Sequence, residues 1–387
     1  MRQFTTDERR RRLVSRQFLS RADSIVHATT ALVGLHATDP ATPFLSLWVR
    51  CPGFITADLE NELYQSRSMV RHLAMRRTLW VLSVDDLPIV QSAASDRVAA
   101  NEHRRLVSDL HKAEVTADGE QWLQTACAAV LGHLGRHGPL SSMELRSALP
   151  EIAGTYDPAP GKPWGGMVPV APRVLTLLSA RGQIVRGPND GGWTTSRPRW
   201  ALATDWLEQR RPSGDAVAEL TRRWLRTFGP ATAADIKWWF GTTLTAAQKA
   251  LGDIDAVEVS LDSGPGYALA EDLDTEPGIA PVAALLPGLD VTTMGWFDRD
   301  WYLGEHRGQV FDRNGNAGPT AWWDGRVVGG WYQDRGARVQ LQLLEDPGRD
   351  GRGALTRRAA ELTAWLDGVV IKPRFPSPLS KSASVKR

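Results

Sequence analysis

The sequence predicts an α+β chain of three tandem winged-helix domains, each a helix-turn-helix with a β-hairpin, followed by a C-terminal β-rich domain. Three observations predict it. A helix, Gly-Pro, helix pattern occurs twice, 91 residues apart. Each copy leads into a third helix and a hairpin. Beyond residue 279 the texture changes to Gly- and Trp-rich strands.

The two copies are Arg136-His-Gly-Pro-Leu-Ser-Ser-Met-Glu-Leu145 and Thr227-Phe-Gly-Pro-Ala-Thr-Ala-Ala-Asp-Ile236. In each, Gly closes one helix, Pro forces an extended step, and Ser or Thr caps the next helix with an acid at its third position, which is a capping box. The stretch before each is amphipathic. Trp122, Ala126, Ala129 and Val130 in one, and Val217, Leu220, Trp224 and Leu225 in the other, recur at three- and four-residue spacing.

A third helix is expected over 172–180 in the first copy and over 245–251 in the second. Strands at 183–186 and 193–195, then at 257–261 and 267–270, flank Gly- and Asp-rich turns. The first ninety residues hold a further copy, with helices near 7–18, 25–32 and 57–65 and a hairpin over 69–82. In the C-terminal part, strands are expected at 309–311, 320–323, 327–331 and 338–344, closed by a helix over 354–370. The resulting segments are 1–95, 96–205, 206–278 and 279–375. Residues 376–387 read as a polar tail without fixed structure, carrying Lys381, Lys386 and Arg387.

Composition bounds the function. At roughly 150 residues per domain, 387 residues allow two or three domains, and 42% apolar with 23% charged residues excludes long disorder. The 46 basic and 44 acidic residues nearly cancel, so a polyanion must be met by a local patch. Only seven of the basic residues are lysines, leaving arginine, the better bidentate phosphate ligand, as the dominant cation. Most of the 16 tryptophans are expected in the core or an interface. Cys51 and Cys127 are too few for a zinc cluster or a disulfide framework, which suits a reducing compartment. The Arg-rich N-terminus lacks the apolar run of a secretion signal, and no stretch reaches membrane-spanning length. A cytoplasmic protein without a membrane anchor is expected.

Tandem helix-turn-helix units carry an expectation of nucleic-acid binding. Candidate contacts are Arg71, Arg76, Arg77 and Trp80 around the first hairpin, Arg173 opening a third helix, Lys237, and Arg299. Any one such charge is more often simply solvated. Chemistry is most concentrated in Gly34-Leu-His-Ala-Thr-Asp-Pro40, where His36, Thr38 and Asp39 fall within four residues. A water could sit between the imidazole and the carboxylate and lose its proton to the base. On residue types alone a capped turn is the commoner outcome, with Thr38 or Asp39 capping a helix over 42–48. The Asp298-Arg-Asp-Trp301 cluster with His306 reads as surface ion pairing. His36, Asp39 and His72 match no metal-ligand spacing, and neither a glycine-rich phosphate loop nor a GxSxG elbow is present. No cofactor or metal is expected.

Several segments together resemble the bacterial winged-helix family that includes the AlkZ and YcaQ type DNA glycosylases. They are 32–40, Arg76-Arg-Thr-Leu-Trp80, Phe228-Gly-Pro-Ala-Thr232 with Asp235-Ile-Lys-Trp-Trp239, Leu285-Leu-Pro-Gly-Leu-Asp290, and Asp324-Gly-Arg-Val-Val-Gly-Gly-Trp331. The resemblance runs from Asp7 to about Leu344. Because three non-identical tandem copies already supply an extended surface in one chain, a monomer is expected. The resemblance implies three winged helices wrapped as a C around duplex DNA with alkylated bases. It further implies hydrolysis of the bond between deoxyribose and an N7-alkylated purine, including bulky adducts and crosslinks left by genotoxic natural products. The family's catalytic motif is Gln, an apolar residue, then Gln or Asp. Here His36, Ala37 and Thr38 stand in those places and the carboxylate, Asp39, comes one residue late. Either Asp39 activates the water with His36 and Thr38 orienting it, or the chemistry is lost and a DNA-binding protein or regulator remains; the first is favoured because His and Asp are costly to bury together unused.

Overall fold

The computed structural model describes residues 1–207 and 215–385. The expected segment 206–278 therefore loses 208–214, and Lys386 and Arg387 of the expected tail also lie outside the described residues. The chain divides into two compact units, Glu60–Ala216 and a second made of Met1–Leu59 with Val217–Arg387.

In the Glu60–Ala216 unit, Met69–Leu73 and Leu79–Ser83 form an antiparallel hairpin with Val70 opposite Leu82. The helix Asp96–Lys112 follows, then Gly119–His137, whose start is capped by Asp118 accepting from the Gln121 amide. That helix stops at Gly138, where φ is +73°, a region open to a residue without Cβ. Ser141 opens the next helix, Ser142–Ala148, and the predicted capping box is in place: the Glu144 amide donates to Ser141 Oγ at 3.2 Å, and the Ser141 amide to Glu144 Oε2 at 2.7 Å. The third helix is Ala171–Ala180.

The hairpin after it departs from expectation. Its strands are Ile184–Asn189 and Pro198–Leu202, not 183–186 and 193–195. Thr195 instead belongs to the turn, its hydroxyl donating to the Asp190 and Gly192 carbonyls. Leu123, Ala126, Val130 and Leu134, on one face of the Gly119–His137 helix, join Val174, Leu177, Leu178 and Ile184 in the unit's core.

The other unit brings the two ends of the chain together. Gln3–Phe4 pairs in parallel with Ser260 and Leu261, which buries Phe4 against Val259, Leu261 and Ala268. Helices Thr6–Arg16, Ile25–Ala31 and Thr42–Arg50 follow. The second copy of the repeat forms Ala216–Phe228, Ala233–Phe240, Leu244–Asp253 and the hairpin Val257–Leu261 with Gly264–Ala268. Trp224 and Phe228, four apart on their helix, stack at 5.2 Å, as neighbours on one helix face can.

Beyond this hairpin lies an antiparallel sheet of Ala283–Leu286, Thr320–Trp323, Arg326–Gln333 and Val339–Leu343, adjacent in chain order and covered by the helix Gly348–Leu366. The expected strand at 309–311 is absent: Arg307–Val310 is a helical turn. Its place in the sheet goes to Ala283–Leu286, whose short apolar run lacks the alternation that marks a strand. The expected structureless tail is also corrected, since Pro378–Val385 is helical and Leu379 is buried. The space for Leu379 exists because Gly330 has no side chain; a Cβ there would lie 2.5 Å from Leu379 Cδ2.

Candidate active site

The polar turn at 34–40 begins where the Ile25–Ala31 helix closes. Gly34 sits at φ +101° with its amide donating to the Thr29 carbonyl at 2.8 Å, a conformation that favours glycine. The chain then runs extended through Leu35–His36. His36 is 3% exposed, and its Nδ1 accepts from the Thr38 amide at 3.4 Å; Thr38 itself is half-buried.

Asp39 is 8% exposed, and its two oxygens serve different partners. Oδ1 accepts from the Ala41 amide at 3.1 Å, while Oδ2 accepts from the Arg374 amide at 2.9 Å. The Arg374 guanidinium donates to the Thr38 carbonyl at 3.2 Å. Burial raises the Asp39 pKa above the ordinary carboxylate value, and the two amides and the Arg374 charge only partly pull it back. A carboxyl so shifted is a stronger base than one in water. Asp39 also lines a crevice of about 10 Å³ with Thr42, Gly288, Trp331 and Pro373. That is room for about one water molecule.

The expected helix cap from Thr38 or Asp39 is absent, but the polar turn is closed by Asp39: its Oδ1 accepts from the Ala41 amide two residues on, and its carbonyl from the Thr42 amide at 3.2 Å. The helix spans Thr42–Arg50, its cap position is Ala41, and no side chain caps it. Pro43 removes one of the first-turn N–H groups that a cap would serve. Asp39 instead bonds one amide ahead of the helix and another far along the chain.

The Thr42–Arg50 helix that follows the turn ends in a buried ion pair. Arg50 and Asp290 are both fully buried, with Nη1 to Oδ2 at 2.9 Å and Nη2 to Oδ1 at 2.8 Å. Arg50 also donates to the carbonyls of Gln17 and Ser46 and to Thr292 Oγ1, and Ser46 donates to Asp290 Oδ2. Burial alone would raise Asp290, but the opposing charge and these donors hold it below the usual carboxylate range. Thr42 adds a bond from its hydroxyl to the Gly288 carbonyl at 2.7 Å. Neither Arg374 nor Arg50 was legible as part of the site. A lone arginine hundreds of residues from its partner carries no local signal.

The candidate DNA contacts separate by burial. Arg71 is buried beside Tyr64, and burial lowers its pKa. Trp80 is buried with its indole N–H donating to Thr78 Oγ1 at 2.9 Å. Arg299 is buried too, its guanidinium 4.8 Å from the Trp238 ring centre and 4.6 Å from that of Phe311. These three pack in their own units rather than present themselves to solvent. Arg77 is exposed but forms a bidentate pair with Glu102 at 2.6 and 2.9 Å, and Arg173 lies 3.9 Å from the same carboxylate. Arg76 is half-buried at φ +55°, and Lys237 is exposed on its helix.

The Asp298-Arg-Asp-Trp301 cluster is likewise structural. Asp235, fully buried, accepts from the Thr232 amide and hydroxyl and from the amides of Phe297 and Asp298. The second capping box therefore also pins the 297–298 loop.

A family model described as DNA glycosylase AlkZ-like matches residues 29–365. The fold is similar to the solved structure of Streptomyces sahachiroi DNA glycosylase AlkZ, at 22% identity over 96% of this chain and 99% of that one, with a TM-score of 0.72. A comparison with curated proteins gives no match.

Proposed function

The chain belongs to the AlkZ-like DNA glycosylase family, and we propose that it is a monofunctional glycosylase that removes N7-alkylated purines from duplex DNA, using Asp39 to activate water. The observation that carries this is the Asp39 carboxylate, buried, raised in basicity, and lining a crevice of water size.

Alkylation at N7 makes guanine a cationic leaving group. The C1′–N9 bond breaks with its electrons going to the base, the water oxygen bonds to C1′, and the water proton passes to Asp39. The negative carboxylate also stabilises the oxocarbenium-like sugar before water adds. His36 and Thr38 orient the water in this reading. The chemistry needs no metal or cofactor from the protein.

The recurrent order of helix, turn, helix, helix and hairpin supports three tandem winged helices as the DNA-binding frame. Exposed Lys237 and half-buried Arg76 are the basic residues we assign to phosphate contact, with Arg77 and Arg173 next once their carboxylate partners Glu102 and Asp109 are displaced. Bulky adducts and crosslinks left by a genotoxic natural product are the substrates we favour, which would give repair or self-resistance in the cytoplasm by a monomer. Among the described residues no helix is long and apolar enough to cross a membrane.

The test is single-turnover base release from duplexes carrying N7-methylguanine or a bulky N7-guanine adduct, wild type against Asp39→Asn. Release that needs Asp39 is the expected result. Salt-sensitive binding with no release from either duplex would leave a DNA-binding protein without this chemistry.

A further inference from the structure

One surface feature is used by nothing described so far. In the Glu60–Ala216 unit, Thr155–Tyr156 and Val168–Pro169 pair antiparallel, Thr155 opposite Pro169 and Tyr156 opposite Val168. They hold out the loop 157–167. Tyr156 is 2% exposed and roots the hairpin in the unit's core. The tip is the opposite: Trp164 is 77% exposed and Met167 66%.

The loop is folded rather than merely long. Asp157 Oδ1 accepts from the amides of Ala159 and Gly166 at 2.9 and 3.0 Å, which ties the two arms together. The Lys162 amide donates to the Ala159 carbonyl at 3.1 Å and the Gly165 amide to the Lys162 carbonyl at 2.8 Å. A Cβ on Gly165 would fall 2.3 Å from the Ala159 oxygen, so the chain crosses itself there only because that residue is glycine. Pro158, Pro160 and Pro163 further restrict it. A tryptophan and a methionine thus stand in water on a preorganised support. Lys162, the one charged residue in 158–168, stands beside them.

We propose that this hairpin is a DNA wedge: Trp164 stacks on or inserts at a base step of the duplex, Met167 extends the apolar tip, and Lys162 pairs with a neighbouring phosphate. An exposed aromatic face suits bases of any sequence, and apolar side chains on a rigid support are what opens a base step. The proposal rests on the reading of this chain as acting on DNA, and it adds an element that holds the duplex distorted.

The experiment uses the full chain and a duplex containing 2-aminopurine, whose fluorescence rises when its stack is opened, with binding followed by anisotropy. Wild type is expected to brighten the probe at one position. Trp164→Ala should abolish the rise and weaken binding about fivefold to a hundredfold. Trp164→Phe should retain part of both, and Met167→Ser should weaken binding less. Since Trp164 is exposed, melting temperature and circular dichroism should not move. Equal affinity and equal brightening for wild type and Trp164→Ala overturn the wedge, and base release by the same wild-type sample then leaves the glycosylase reading intact. A wild type that binds no duplex overturns both.

Discussion

Asp39 accepts a hydrogen bond from the backbone amide of Arg374, 335 residues further along the chain, at 2.9 Å. One end of the chain thereby sets the orientation of a carboxylate near the other. The segment that supplies the amide is itself held, since Gln333 Nε2 donates to the Val369 carbonyl and the Ile371 amide donates to Gln333 Oε1.

This relationship separates two roles. Asp39→Asn keeps an oxygen for one amide while removing the charge, so base release should fall by about 10² to 10⁴ with DNA affinity nearly unchanged. Single-turnover kinetics beside anisotropy would measure both, and equal loss of binding and release would mark Asp39 as structural.

Arg374→Ala keeps the backbone donor and deletes the guanidinium, whose charge lowers the Asp39 pKa. Without it, that pKa rises further, and the acidic limb of the pH–rate profile moves to higher pH. The sign follows because Asp39 must be ionised to accept a proton. A shift to lower pH, or none, would count against Asp39 as the base.

Breaking the Arg50–Asp290 pair strands a charge in a site with no solvent. Asp290→Asn should therefore cost about 3 to 5 kcal/mol of stability. Chemical denaturation at pH 7 would measure it, and a loss below 1 kcal/mol would mean that the neighbouring hydroxyls suffice.

Gly329 faces the adjacent strand so closely that a Cβ would lie 2.4 Å from the Gln342 carbonyl oxygen and 2.8 Å from Leu343 Cα. Gly329→Ala should destabilise by about 1 to 3 kcal/mol, because both neighbours are backbone. Thermal melting of the variant checks this, and an unchanged midpoint would contradict the packing.

His72 is buried, and desolvation drops its pKa to about 4 from the ordinary imidazole value of 6.5. Between those values the unfolded chain binds a proton that the native state refuses, so stability is full above pH 6.5 and falls as pH drops toward 4. The loss amounts to about 3 kcal/mol by pH 4. Urea titrations at pH 7 and pH 4.5 should show a smaller difference for His72→Gln than for wild type.

Much of the architecture was legible because it is encoded locally. Both capping boxes could be read from Ser141 with Glu144 and Thr232 with Asp235, since a cap and its partner are three residues apart. The apolar periods of the Gly119–His137 and Ala216–Phe228 helices were legible for the same reason. Reading failed where the deciding partner is remote. Ala283–Leu286 is a strand because Thr320–Trp323 pairs with it, and 309–311 is not one because Arg307–Val310 closes as a helical turn and Phe311 makes a single isolated bridge, to Ala317. The Pro378–Val385 helix packs Leu379 over Gly330, a contact no tail composition announces.

The candidate site divides along the same line. By itself the sequence determined that His36, Thr38 and Asp39 fall together at the end of a helix, because Gly34 and Pro40 make that turn from local backbone preference. Only the tertiary structure decided that Arg374 holds Asp39, that Arg50 is matched to Asp290, and that Arg71, Trp80 and Arg299 are buried. The physical reason is that a side chain's charge state and exposure depend on what surrounds it, and those neighbours are supplied by distant parts of the chain.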